Sequence, residues 1–126
     1  MKLYNESLEI SRQLGDQYMV AGTLNNMGMI HGDRREYDQA MKLYNESLEI
    51  SRQLGDRQEV SETLNNMAIT LNNISSVYLE RQEYEEAFYN ASQAHEILGG
   101  LGSPEVQRSI DILSNIKEKV GNDAYY

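Results

Sequence analysis

Side chains able to do chemistry are few and scattered along this chain. His31 and His95 stand far apart, and no local cluster of histidine and glutamate surrounds either. A metal site needs several ligands in a suitable geometry, so His31 is expected to pack rather than to ligate. The absence of cysteine removes disulfides, thiolate metal sites and cysteine nucleophiles. Carboxylates are numerous, but their positions suit wet helix faces. Acid–base catalysis by a carboxylate pair needs a shielded pocket that shifts a pKa. Gly99-Gly100-Leu101-Gly102 is rich in glycine yet follows no strand and has no Lys-Ser/Thr partner, which argues against a phosphate loop. Gly28 and Gly32 form a small-xxx-small pair, which in a water-soluble chain signals close helix packing. No catalytic set and no cofactor is expected.

What remains is amide chemistry. Asparagines occur in pairs at Asn25-Asn26, Asn65-Asn66 and Asn72-Asn73. Each amide can donate to and accept from a peptide backbone, which suits the binding of an extended segment. Met29 and Ser76 lie about one turn further along the same helices and share their face. The alternative is that all these side chains are solvated surface residues inherited with a repeat.

That repeat is what must position them. Met1 to Asp16 reads MKLYNESLEISRQLGD, and the same sixteen letters return forty residues later at Met41 to Asp56. The likeness continues, since Thr23-Leu24-Asn25-Asn26-Met27 matches Thr63-Leu64-Asn65-Asn66-Met67. A more diverged copy follows, in which Glu83-Tyr84-Glu85-Glu86-Ala87 echoes Glu36-Tyr37-Asp38-Gln39-Ala40. Thr63-Leu64-Asn65-Asn66 also recurs seven residues on as Thr70-Leu71-Asn72-Asn73. The second tetrad is the one in register with the downstream copy, so Thr63 to Ile69 reads as an inserted heptad.

Each unit is helical on pattern. Leu43, Ser47, Ile50 and Leu54 keep a helical spacing, with Glu46, Glu49 and Arg52 on the wetter side. Gly15 and Gly55 can end helices in the left-handed conformation. Asp16 and Asp56 can cap the next ones, and Glu59 completes an Asp-x-x-Glu resembling a capping box. Gly99-Gly100 is expected to stop a helix, Ser103-Pro104-Glu105 to start another, and Gly121 to close it. The spacing predicts six helices at about 1–14, 17–31, 35–54, 57–80, 83–98 and 104–120. Short connections make successive helices antiparallel neighbours, and no strand signal is present.

Thr23 to Ser47 resembles a tetratricopeptide repeat. Leu24, Met27 and Gly28 match the large, large and small positions of that family's first helix, with His31 at an aromatic position. Tyr37, Ala40, Tyr44 and Ser47 match the second helix. Leu71, Ile74, Ser75, Tyr78, Tyr84, Ala87, Ala91 and Ala94 take the same places downstream, with Ser75 for glycine and Ala91 for an aromatic residue. The forty-residue period and the connector Leu54 to Arg57 are similar to the longer repeat subtype of kinesin light chain. The resemblance spans residues 1–98 and implies an all-α fold, with antiparallel hairpins stacked as a right-handed α-solenoid. It makes residues 1–126 one domain, with a lone second helix at 1–14, repeats at 17–54 and 57–98, and a capping helix at 104–120. It further implies a scaffold that binds a protein or peptide in a concave groove lined by first helices. The groove candidates are Asn25, Asn26, Met29, Asn65, Asn66, Asn72, Asn73 and Ser76. The family's cationic clamp for a C-terminal carboxylate is not expected, because no lysine or arginine accompanies Asn25 or Asn72 on that helix face.

Charge and ends narrow the partners. Eleven basic against twenty acidic side chains leave a net charge of -9, which disfavours nucleic acid. No apolar run approaches the ~20 residues of a membrane span, and no secretory segment opens the chain, so a cytoplasmic location is the default. Beginning on a second helix points to a fragment of a longer protein or to an engineered chain, and the stripe Leu3, Ser7, Ile10 and Leu14 invites docking by another chain. The heptad turns a helix by about 700°, close to two full turns, so it keeps the apolar face while adding roughly 10 Å of length. A homodimer through exchanged or end-to-end helices is therefore the alternative to a peptide-binding role, as a module of structural self-assembly.

Overall fold

The computed structural model describes residues 1–121, and among these there are six α-helices and no strand. They are α1 (Lys2–Leu14), α2 (Gln17–Asp33), α3 (Tyr37–Leu54), α4 (Arg57–Glu80), α5 (Tyr84–Leu101) and α6 (Val106–Val120). The expected all-α fold of helical hairpins is thus present. None of these helices is long and apolar enough to cross a membrane. The chain forms two compact units, Met1–Met67 and Ala68–Tyr126. The division falls inside α4 and inside the heptad Thr63 to Ile69.

Helix ends follow from backbone hydrogen bonding. At Gly15 and Gly55 the chain turns left-handed at φ 70°, and a six-residue loop of bonding closes each helix. Asp16 N–H donates to the Ser11 carbonyl, and Asp56 N–H to that of Ser51. The next helix starts at once, with Asp16 Oδ1 accepting from Met19 N–H at 3.1 Å and Asp56 Oδ1 from Glu59 N–H at 3.2 Å. The reciprocal half of the capping box does not form. The Asp56 N–H it requires is already bonded to Ser51, and the Glu59 carboxylate turns to Asn25 and Thr63 instead.

α5 runs through Gly99 and Gly100, contrary to the stop expected there, and ends on Gly102 at φ 65°. Gly102 N–H donates to the Gly99 carbonyl and Ser103 N–H to that of Leu98, which repeats the arrangement at Gly55. The sequence carries this too, for Leu101-Gly102 lies forty-seven residues after Leu54-Gly55, the register of the downstream copy. Ser103 Oγ accepts from Glu105 N–H at 3.3 Å, and a tight turn through Pro104 leads into α6. The other two connections use the same closing bonds without glycine. Arg35 and Gln82 sit at φ 63° and 61°, where a side chain costs roughly 1–2 kcal/mol.

In the first unit, Leu8 of α1 packs with Val20, Leu24 and Met27 of α2, and Leu43 and Ile50 of α3 close over them. α2 and α3 lie antiparallel, pinned where Ser47 Oγ donates to the Ala21 carbonyl at 2.8 Å. Gly28 faces the ring of Tyr44 so closely that a Cβ there would meet Tyr44 Cε1 at 2.7 Å. In the second unit, Ala87 and Ala91 of α5 pack with Ile112 and Ile116 of α6, with Tyr78, Phe88 and Leu113 around them. Here Ala91 replaces the ring that Tyr44 supplies, and Ser75 replaces Gly28. Both positions of the pair are now small, and the Ser75 hydroxyl donates to the Ala87 carbonyl at 2.6 Å.

Candidate functional site

The pair Asn25-Asn26 divides by one step of helix rotation. Successive residues on a helix point about 100° apart, so one member of a pair can face a neighbouring helix while the other faces water. On α2, Asn25 is buried and Asn26 is exposed. The Asn25 amide donates to Glu59 Oε2 at 3.0 Å, and its oxygen accepts from Asn66 Nδ2 at 3.0 Å. Thr63 joins by donating to the same Glu59 oxygen at 3.2 Å, and its hydroxyl lies 3.2 Å from Ser47 Oγ. This network ties α2 to the first half of α4. Burial makes such ties costly to break, because a desolvated amide without a partner costs about 1–3 kcal/mol.

The second unit repeats the plan with different partners. Asn72 is buried, and its oxygen accepts from Ser109 Oγ of α6 at 3.0 Å. Asn73 is half-buried, and its oxygen accepts from the Arg108 guanidinium at 2.6 Å. Ser76 donates to the Asn72 carbonyl at 3.0 Å and lies 3.4 Å from a second nitrogen of Arg108. A cation therefore stands beside these positions although none was expected on their own helix face. It arrives from α6, and the forty-seven-residue register that makes α6 the next first-type helix was the signal for it. Asn65 and Asn66 are half-buried.

Accessible chemistry in the first unit concentrates on one stripe of α2. Met19, Gly22, Asn26 and Met29 follow one another at spacings of three and four, which puts them on one face. Met19 is 50% and Met29 43% exposed. Asn26 lies between them, exposed, with no side-chain hydrogen bond among the described residues. The stripe is about 15 Å long at 1.5 Å per residue. His31 closes the turn after α2, its Nδ1 lying 3.0 Å from Glu36 Oε1. Among the described residues no group of three or more histidines or carboxylates is gathered as a metal would need.

Helices recurring at a fixed offset, with a buried asparagine at the corresponding place in each unit, are the organisation of a repeat protein. The family model of the tetratricopeptide repeat matches residues 2–53 and again residues 19–72. Together these cover residues 2–72, that is 71 of 126. The chain belongs to the tetratricopeptide repeat family. No curated protein and no solved structure matches it. Tetratricopeptide repeats generally mediate protein–protein interaction, and the family is a non-enzymatic scaffold. The two overlapping matches show that α2 and α3 serve in both, once with α1 before them and once with α4 after them.

Proposed function

We propose that the protein is a scaffold binding an extended segment of another protein, with the accessible members of the asparagine pairs as contacts. The unbonded amide of Asn26, set between two exposed methionines on α2, carries this reading. A backbone amide group of a bound segment offers the donor and acceptor that Asn26 lacks. Unbranched, polarisable methionines adapt to varied side chains. Asn73 and Ser76 offer contacts of the same kind within the second unit taken by itself, and the exposed Arg108 beside them gives a cation for an acidic group bound there. The forty-residue period supports placing the chain in the longer subtype similar to kinesin light chain. The buried Asn25 and Asn72 hold the helices that present these contacts, and Asn65 and Asn66 border them.

The test is a peptide array probed with the whole chain, followed by titration of the best peptide against variants. Asn26→Ala and Met29→Lys are expected to weaken binding about tenfold or more. If a peptide binds saturably and both variants bind it as well as the parent chain, the α2 stripe is not the site.

Self-association is a second reading, favoured by α1. Leu3 and Leu14 are 79% and 75% exposed, and Ile10 is exposed beside them. Their counterparts Leu43, Ile50 and Leu54 in the identical block of α3 are half-buried. Sedimentation of the chain and of a Leu3→Lys, Leu14→Lys variant decides this reading, which fails if the parent chain stays monomeric at high concentration.

A further inference from the structure

One face of α5 departs from the repeat it belongs to. In the forty-seven-residue register, Glu85, Phe88, Tyr89 and Ser92 stand where α3 has Asp38, Met41, Lys42 and Asn45. Their spacing of three, four and seven residues puts them on one side of the helix. Where α3 carries a methionine and a cation, α5 carries two aromatic rings and no cation. With Tyr78 from the end of α4, and with Glu86 and Asn90, these residues line an open groove of about 720 Å³ in the second unit.

Core packing explains only part of this lining. Phe88 and Tyr78 are half-buried and lean on the cluster of Ala87, Ala91, Ile112 and Ile116. Tyr89 has no place in that cluster and is 62% exposed, its hydroxyl accepting from Gln93 Nε2 at 3.1 Å. Glu85 and Glu86 occupy the first turn of α5, where the helix dipole favours acids. That accounts for the carboxylates but not for the rings beside them. Three aromatic faces, two carboxylates and no basic group suit one chemistry. Ring faces attract a cation electrostatically, and a planar guanidinium both stacks on a ring and bonds to a carboxylate.

We propose that this groove docks an arginine-bearing segment of a partner protein. The aliphatic stem of the arginine lies against Phe88 and Tyr78, and its charge is shared between the Tyr89 ring and the Glu85 and Glu86 carboxylates. The net charge of -9 draws such a segment toward the surface. The groove shares no residue with the α2 stripe, so the two proposals stand or fall separately.

The whole chain can be titrated with a short glycine-serine peptide carrying two arginines, and with the same peptide carrying two glutamines in their place. Tyrosine ring resonances, with Tyr89 assigned through Tyr89→Ala, report occupancy. The arginine peptide is expected to shift the Tyr89 resonance saturably and to bind about tenfold more tightly than the glutamine peptide. Tyr89→Ala should weaken binding about fivefold or more, Tyr89→Phe should preserve it, and the Glu85→Gln, Glu86→Gln double variant should weaken it and flatten its salt dependence. Tyr89 is exposed enough for its loss to leave folding intact, which circular dichroism checks. Equal binding of the two peptides, or wild-type binding by Tyr89→Ala, overturns the proposal.

Discussion

Gly28→Ala tests the tightest packing in the first unit. A Cβ on Gly28 would stand 2.7 Å from Tyr44 Cε1, 2.8 Å from Cδ1 and 3.2 Å from Cζ. Carbon atoms rest at about 3.5–4.0 Å, so the ring must retreat by roughly 0.8 Å. Tyr44 is 1% exposed and is flanked on its own helix by the fully buried Ala40 and Ser47, so the ring has nowhere to go. Overpacking of this kind costs about 1–3 kcal/mol. Alanine returns about 1 kcal/mol through its better helix propensity. The net expectation is a loss of up to about 2 kcal/mol, which for a chain of this length lowers Tm by up to roughly 8 °C. Thermal unfolding followed by far-UV circular dichroism measures it. Gly100→Ala is the control, because a Cβ there meets nothing within 4 Å and the residue is helical. That variant should gain about 0.5–1 kcal/mol. Tyr44→Ala removes Cδ1, Cε1 and Cζ together, so in that background Gly28→Ala should cost little. A penalty of equal size in both backgrounds, or no penalty in either, refutes the close approach as its cause.

The buried and exposed members of an asparagine pair should separate in stability. Asn25→Ala is expected to cost about 1–3 kcal/mol by leaving Glu59 and Asn66 short of a partner, while Asn26→Ala stays within about 0.5 kcal/mol, both read by urea denaturation. The two identical sixteen-residue blocks give a second contrast. Ser51 is fully buried and its hydroxyl has no partner, whereas Ser11 donates to the Ser7 carbonyl at 2.7 Å. Ser51→Ala should therefore stabilise by up to about 1 kcal/mol and Ser11→Ala destabilise by about 0.5–1 kcal/mol. The same direction of change for both serines would contradict the hydrogen bonding assigned to them.

The fold was legible because the same pattern is written more than once. Helix type, number and most ends follow from spacing and from Gly15, Gly55, Asp16 and Asp56, each of which acts through its own backbone. What misled at Gly99-Gly100 was reading composition in place of register. Two glycines weaken a helix, but only a residue whose position requires positive φ ends one, and that residue is Gly102. Glu59 shows a different limit. A capping box is a local pattern, and whether it closes depended on Asp56 N–H already serving the preceding helix.

The sequence names the asparagine positions but not which of them is buried. Nothing in Asn25-Asn26 says which amide meets the next first-type helix, because that depends on where Glu59 and Asn66 arrive. Arg108 was missed for a similar reason, although the forty-seven-residue register pointed to α6. Its bearing on Asn73 and Ser76 comes through α6, thirty-five residues downstream of Asn73. Sequence reasoning that stays on one helix face sees half of a contact made by two.

α4 has a consequence for anyone wishing to separate the halves of this protein. Its twenty-four residues supply an edge to each compact unit, and the division between Met67 and Ala68 falls where the helix is continuous. Severing the chain there would strand up to about four carbonyls on one piece and four amides on the other in mid-helix. No spacer exists at that point to absorb the cut. Excision of either half is therefore best planned with all of Arg57 to Glu80 retained on both pieces.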